Sequence, residues 1–544
     1  MSTVLRLKIV PIALAALMSA SAFAATNNLP KNLEPFNTVG RWIVDAQGRV
    51  VIQHGLNSIN KFEPHTPFIR PEDADLLAKE GMTQIRVGIK WAKVEPEPGK
   101  YDDKFIDLYI DHIKMLHARG IYTALTFFQD NYSEEFAGHG SPKWAVITDG
   151  VPNVNINYYS NPTFNPALQR AFDNFYANRH APDGIGIQDH YANAWAYVAK
   201  KFIGVPGVIG FDLMNEPQSG SYTQLCWLTG FTGCAPHDVR VTAFNNKMQK
   251  AIHKVDPNRL IIWEPGYHHS MGYASGATLK APRAVYSFHQ YCPTMPARQL
   301  SLPYTPPSKT LGLCQSLESY NINSHVSKGI RENTPPLMGE FGATEDVKDI
   351  GHVVDVADKH MLPWTHWAWF AKDPAGTGDS GERPWEGVIK DPTLPPSGDN
   401  LVHDKLNVLV RPYPLAVAGT PQSYGFNRTT KAFKLSYSAT NPQGKIDRQA
   451  HTEVFVPARQ YPNGYTAIVL GGSVTSAPNA DVLLIKTNAN ANKVDVQVIP
   501  KIAVPVPPVV KKLLPDLTVL APKIVDNAIN AVNTVQSIFG GFKF

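Results

Sequence analysis

Two glutamates carry the strongest chemical signal in this sequence of 544 residues. Glu216 closes the run Asp212-Leu213-Met214-Asn215-Glu216-Pro217, and Glu340 sits in Met338-Gly339-Glu340-Phe341-Gly342. Each follows a short apolar stretch that reads as a strand. Two carboxyl groups flanking a glycosidic bond are the equipment of sugar hydrolysis. One must be a protonated acid and the other an ionised nucleophile, so their surroundings must push their pKa values apart. If configuration is retained, the two groups should lie roughly 5–5.5 Å apart.

Other polar residues at strand ends fit that division. Arg86, in Gln84-Ile85-Arg86-Val87-Gly88, would keep Glu340 ionised. His289 and Tyr291 stand two residues apart and point to the same side. A phenol at Tyr291 would donate to Glu340, orient it, and release it as the glycosyl bond forms. Asn215 can bond a sugar's 2-hydroxyl, an interaction that strengthens in the transition state. Trp367, in Trp367-Ala368-Trp369, offers a face for stacking on a sugar ring. Taken singly, each has a structural reading: Asn-Glu-Pro is turn-like, Arg86 could be an ion pair, and Trp367 could be core. Their joint placement is what points to chemistry. His268-His269 suggests a metal, but adjacent strand residues point apart, so these histidines read as structural.

A barrel would bring these residues together. Short apolar runs near 50–56, 84–88, 122–127, 208–213, 260–263, 285–288, 337–339 and 363–369 alternate with helix-length amphipathic stretches. Eight strands alternating with helices predict a (β/α)8 TIM barrel over residues 35–405, preceded by a small hairpin at 41–52. Such barrels act at the carboxyl ends of their strands, where all the candidates fall. A doubly wound sheet would normally show a Gly-rich turn after its first strand, and Gly55-Leu56-Asn57-Ser58-Ile59-Asn60 is not one.

The pattern changes after Arg411-Pro412-Tyr413-Pro414. Residues 411–500 alternate and turn like an appended β-sandwich domain, with strands near 431–437, 449–455, 466–470, 482–485 and 494–499. A Pro-rich linker follows, and the rest of 501–544 carries Val525, Ile529, Val532 and Phe539 at helical spacing. This tail would dock on the parent protein or lie on a lipid surface.

Residues 1–24 read as a secretory signal peptide, with Arg6 and Lys8, a short apolar core and Ala22-Phe23-Ala24. A secreted or periplasmic location is expected. Hydrophobic residues at 43% exclude wholesale disorder, and a net charge of +5 without a basic block implies no nucleic-acid partner. Four cysteines in an exported chain suggest two disulfides. Pairing of Cys226 with Cys234 and Cys292 with Cys314 is expected because each pair flanks one loop. A zinc site is the rival, but no CxxC spacing exists.

With Arg86, Asn215-Glu216-Pro217, His289, Tyr291, Glu340 and Trp367 in this order, the sequence resembles glycoside hydrolase family 5 over roughly residues 35–405. Gly55-Leu56-Asn57 followed by Lys61, the Gln129-Asp130 pair, residues 210–217 and the C-terminal β-sandwich resemble its endoglycoceramidases. That resemblance implies that Glu216 is the acid/base, Glu340 the nucleophile, and no cofactor or metal is needed. It also implies that Lys61 and Asp130, with Gln129, bind sugar, and that the substrate is a glycosphingolipid cut between headgroup and ceramide. Phe128 departs from the pattern, since such enzymes usually place there a His that bonds the first sugar. His366 could not compensate, because strand alternation turns it away. Aromatic loops at 131–180 and 221–236 would form an apolar groove for ceramide, or pack on themselves. Alternatives are a single-sugar glucosylceramidase or steryl glucosidase, an endo-β-glucanase or mannanase acting on polysaccharide, and a silent glycan-binding surface protein.

Overall fold

In the computed structural model the described residues are 29–501, apart from 293, 295–308, 310–311 and 371–383. The expected signal peptide, the Pro-rich linker and the tail lie outside the described residues. Three short strands come first: β1 (Asn37–Val39), β2 (Trp42–Val44) and β3 (Val50–Val51). The barrel strands follow as β4 (His54–Ser58), β5 (Gln84–Ile89), β6 (Tyr122–Phe127), β7 (Val208–Asp212), β8 (Leu260–Trp263), β9 (Ala284–Gln290), β10 (Pro336–Phe341) and β11 (Trp364–His366). They pair in parallel in chain order, and β11 closes on β4, which makes the TIM barrel.

Helices connect them on the outside. The helix Asp103–His117 starts where Asp102 accepts from Phe105 N, and Val347–His360 starts where Asp346 accepts from Lys348 N and Asp349 N. Such caps satisfy backbone donors that a first helical turn leaves without partners. Their apolar stripes, such as Phe105, Ile106, Ile110 and Ile113, face the barrel and are buried. Among the described residues no helix is long and apolar enough to cross a membrane.

The remaining strands are β12 (Tyr413–Val417), β13 (Thr420–Phe426), β14 (Phe433–Ser438), β15 (His451–Phe455), β16 (Tyr465–Leu470), β17 (Gly472–Val474), β18 (Val482–Thr487) and β19 (Lys493–Pro500). They form two antiparallel layers, one ordered β13-β14-β19-β16 and the other β1-β2-β3-β12-β15-β18-β17.

The second layer corrects the sequence reading. The run 50–56 is not one barrel strand. Val50 and Val51 pair with Val417 and Ala416, Ile52 N donates to Leu415 O, and the barrel begins only at His54. A continuous apolar stretch hides this break because both sheets bury it.

Barrel and sandwich share a buried apolar cluster that runs from Leu56 and Trp364 to Tyr413, Phe455 and Ile485. His54 stacks between Trp364 and Tyr413, with ring centroids 4.2 and 3.8 Å away. Arg411 bridges Asp355 and Asp358 at 2.8 Å each, and Arg459 reaches Glu80 at 2.6 Å.

Candidate active site

Arg86 is the hub at the carboxyl-end mouth. It stands mid-way along β5 inside a closed barrel, so its side chain is buried among the neighbouring strands. Nη1 donates to Glu340 Oε1 at 2.6 Å, Nε to Asp212 Oδ2 at 2.8 Å, and Nη2 to Glu264 Oε1 at 2.8 Å and Asn215 Oδ1 at 3.0 Å. Three carboxyl groups therefore share one guanidinium. Burial raises Asp212 to about 7 despite the opposing pull of Arg86.

Glu340 accepts on its other oxygen from the Tyr291 hydroxyl at 2.7 Å. The sequence expects Arg86 to keep Glu340 ionised. The contact is present, but burial raises this carboxyl above its ordinary range, and the nearby His289 and Arg86 only partly pull it back. Burial likewise pushes the Tyr291 phenol well up, and Glu340 adds to the effect, so the hydroxyl keeps its proton and can donate.

Glu216 follows β7 with φ at 40°, a left-handed conformation rare for a side chain of this kind. Its Oε1 accepts from Ser270 Oγ at 2.6 Å and from His289 Nδ1 at 2.9 Å. The same His289 Nδ1 lies 3.4 Å from Glu340 Oε2, and Nε2 lies 3.2 Å from Glu264 Oε1. Burial works against an imidazolium here, but Glu264 and Glu340 outweigh it and raise His289 well above its usual value.

A cavity opens above this cluster. Its lining includes Lys61, Asp130, Asn215, Glu216, Glu340 and Trp367, and also Phe128, Gln129, Tyr291 and Glu386. The sequence-derived candidates are thus brought to one place, with His289 and Arg86 directly beneath. Lys61 Nζ lies 2.8 Å from Asp130 Oδ2 and 4.7 Å from the Trp367 ring centre. The Trp367 indole donates to Glu386 Oε2 at 2.9 Å.

Gln129 lines the cavity, but its amide is engaged by backbone. Its Oε1 accepts from Tyr132 N at 2.8 Å, and its Nε2 donates to the carbonyls of Asn215 and Glu216 at 2.7 and 3.2 Å. Both ends are committed to backbone, so Gln129 holds the turn that carries Glu216.

Phe128 faces the cavity beside Lys61 and Lys90, whose Nζ atoms lie 5.4 and 4.5 Å from its ring centre. His139 packs against it with ring centroids 5.7 Å apart, and its Nδ1 meets Lys90 Nζ at 3.0 Å. His366 is fully buried on the other side of its strand, as alternation predicts.

Sequence reasoning misses Asp212, Glu264, Ser270 and Glu386. Glu264 had a signal, since Trp263-Glu264-Pro265 ends a barrel strand in the same form as Asn215-Glu216-Pro217. His268 and His269 are buried, but the strand argument for them is wrong. They lie in a short 3-10 turn, Tyr267–Met271, which delivers Ser270 to Glu216.

The expected disulfides, Cys226–Cys234 and Cys292–Cys314, are both present. The loop aromatics divide. Tyr132, Phe136, Phe172 and Phe175 are buried in the main core, with Phe175 against Tyr191 and Phe244; Tyr158 and Tyr159 line the cavity, and Phe164 is exposed.

Comparison with known proteins agrees with this arrangement. Residues 44–373 match the family model described as cellulase (glycosyl hydrolase family 5), and 411–498 match the glycoside hydrolase family 5 C-terminal domain. The chain is 29% identical over 466 residues to endoglycoceramidase I of Rhodococcus hoagii, covering 82% of this chain and 84% of that one. It is 32% identical over 193 residues to a glucosylceramidase of Aspergillus fumigatus, covering 29% and 25%. Endo-glycoceramidase II from Rhodococcus sp., solved in complex with ganglioside GM3, superposes with a TM-score of 0.66 at 25% identity. That match covers 84% of this chain and 99% of that one.

Proposed function

The chain belongs to glycoside hydrolase family 5, and from that premise we propose that it is an exported, retaining β-glycosidase that cuts glycosphingolipids between the sugar headgroup and ceramide. The observation that carries this reading is the placement of Glu216 and Glu340 on the same nitrogen of His289, at 2.9 and 3.4 Å. One imidazole nitrogen thus reaches both carboxyl groups, the closeness expected of retaining enzymes rather than the wider spacing of inverting ones. That closeness supports double displacement.

Glu340 attacks the anomeric carbon while Glu216 gives a proton to the leaving oxygen, and a glycosyl-enzyme forms. Tyr291 releases Glu340 as that bond forms. Glu216 then takes a proton from water, and the attacking oxygen frees Glu340. Asn215, oriented by Arg86, offers a donor to the sugar at the reacting ring. Lys61, Asp130 and Trp367 would hold the headgroup.

The lipid reading is supported by endoglycoceramidase relatives matched over most of their length. It is also supported by the apolar side chains near the mouth. Pro162, Tyr267, Met271 and Ala343 line the cavity, and Phe164 and Leu228 stand 64% and 86% exposed on adjoining loops. Burying each CH2 of a ceramide chain is worth about 0.8 kcal/mol. Export is supported by the leader-like first 24 residues together with the two disulfides.

Hydrolysis of a ganglioside, glucosylceramide and carboxymethylcellulose in parallel, with detergent, tests the proposal. Intact oligosaccharide plus ceramide is the expected result. Cleavage of glucosylceramide alone would replace it with a single-sugar enzyme, a reading that Phe128 favours because it gives the sugar no hydrogen bond. Activity only on the soluble glucan would sink the lipid argument.

A further inference from the structure

We infer that Glu264 is a positioning residue for the reaction, holding the backbone of Glu216 and the imidazole of His289 in the arrangement that hydrolysis requires; this rests on the roles proposed above for Glu216 and Glu340. Glu264 follows β8, is 3% exposed and does not line the cavity, so it acts through others. Its Oε2 accepts from Glu216 N at 2.9 Å. That bond pins a residue with a left-handed backbone, where a side chain is strained and persists only if its surroundings hold it. Its Oε1 lies 2.8 Å from Arg86 Nη2 and 3.2 Å from His289 Nε2. One carboxylate therefore sets three groups, each of which touches a proposed catalytic glutamate.

The charges around it come from several elements, and further out His325 faces His289 and Glu386 faces Tyr291. Arg86 from β5 and His289 from β9 are the cations. Asp212 from β7, Glu216 after it, Glu264 after β8 and Glu340 from β10 are the acids, with the Tyr291 phenol beside Glu340. Burial would raise Glu264, but His289 and Arg86 outweigh that and keep it ionised. As the fixed anion behind His289, it keeps the ring charged and so presents a cation to Glu340. Glu264 itself repels the Glu340 charge, but less strongly than His289 attracts it, so weakening the imidazolium 3.4 Å from Glu340 outweighs the repulsion removed. The nucleophile then needs a higher pH to ionise.

The experiment compares kcat and KM against pH for wild type, Glu264→Gln and Glu264→Asp on an aryl β-glycoside with a good leaving group. In Glu264→Gln, kcat should fall about 10²-fold with KM little changed. The acid limb of the profile should move up by about one pH unit. Glu264→Asp keeps the charge but not the reach, so its limb should stay at the wild-type position while kcat falls.

An unmoved limb in Glu264→Gln overturns the inference even if kcat falls, since that marks mere packing. Where Glu264→Gln does not fold, Glu264→Asp decides: a limb that moves overturns the inference, and a fixed limb with lowered kcat supports it. Azide rescue of Glu216→Ala, measured alongside, separates the two levels. Without rescue the role of Glu216 itself fails; rescue with an unmoved limb in Glu264→Gln overturns only the role of Glu264.

Discussion

Replacing Tyr291 by Phe removes one oxygen and leaves the ring, so its effect isolates a single hydrogen bond. The hydroxyl donates to Glu340 Oε2 at 2.7 Å inside a buried site. A bond of this kind to a charged acceptor is worth about 1.5–3 kcal/mol. Without it, Oε2 keeps only His289, whose Nδ1 is 3.4 Å away. Burial already raises Glu340, and the lost donor raises it further. At 1.36 kcal/mol per pKa unit, the acid limb of kcat/KM should move up by about 1–2 units. At the pH optimum kcat should drop about 10- to 100-fold, because the phenol no longer stabilises the leaving carboxylate during release of the sugar. The assay is a pH-rate profile on an aryl β-glycoside, with melting temperature as control. Since Phe keeps the packing, the protein should stay folded under assay conditions, with stability lowered by no more than the about 1.5–3 kcal/mol of the lost bond. An unchanged acid limb with full kcat would refute the assignment of Tyr291 as partner of the nucleophile.

Phe128→His places a donor on the cavity wall between Lys61 and Lys90 and should raise kcat/KM on lactosylceramide by about 5- to 100-fold, a hydrogen bond of 1–3 kcal/mol; an unchanged value on every glycolipid tested would show that the sugar does not reach this wall. Burial lowers His268 and His325 to about 3, so below pH 6.5 the unfolded chain binds protons that the folded one refuses. Stability is therefore complete above that pH and should fall by about 1.4 kcal/mol per unit for each histidine as pH drops toward 3, which denaturant melts between pH 7 and 4 would show as a steady loss. Opening the Cys226–Cys234 bond with Cys226→Ser and Cys234→Ser should cost about 2–3 kcal/mol of stability, and urea melts that leave the midpoint unchanged would contradict this.

The residues of the candidate site were legible because barrel geometry converts strand ends into neighbours. Arg86, His289 and Glu340 need no loop to position them, only a strand that stops where the sequence says it stops. Gln129 shows the limit of this: its type suits a sugar, and only the turn Gln129–Tyr132 reveals that backbone groups also take both ends of its amide. Ser270 was invisible because a 3-10 turn after Gly266 replaced the assumed strand. Glu386 reaches the site from a loop beyond the last barrel strand, and no periodicity points there. The split of residues 50–56 between two sheets was hidden because both sheets bury apolar side chains, so the hydrophobic pattern shows no seam. Tertiary pairing decided it, through Val50 and Val417.

That seam has a consequence for how the molecule is made. The outer sheet joins β3, which precedes the barrel, to β12, which follows it. Until the ribosome has delivered β12, the hairpin β2–β3 carries an open edge of Val50 and Val51 with no strand to pair. Pairings this distant in sequence form slowly, and bare edges invite other chains. A chain cut after the barrel would keep that edge permanently. Separating the two modules at residue 410 should therefore yield an aggregating catalytic half, and supplying residues 411–501 as a second polypeptide during refolding should recover soluble enzyme.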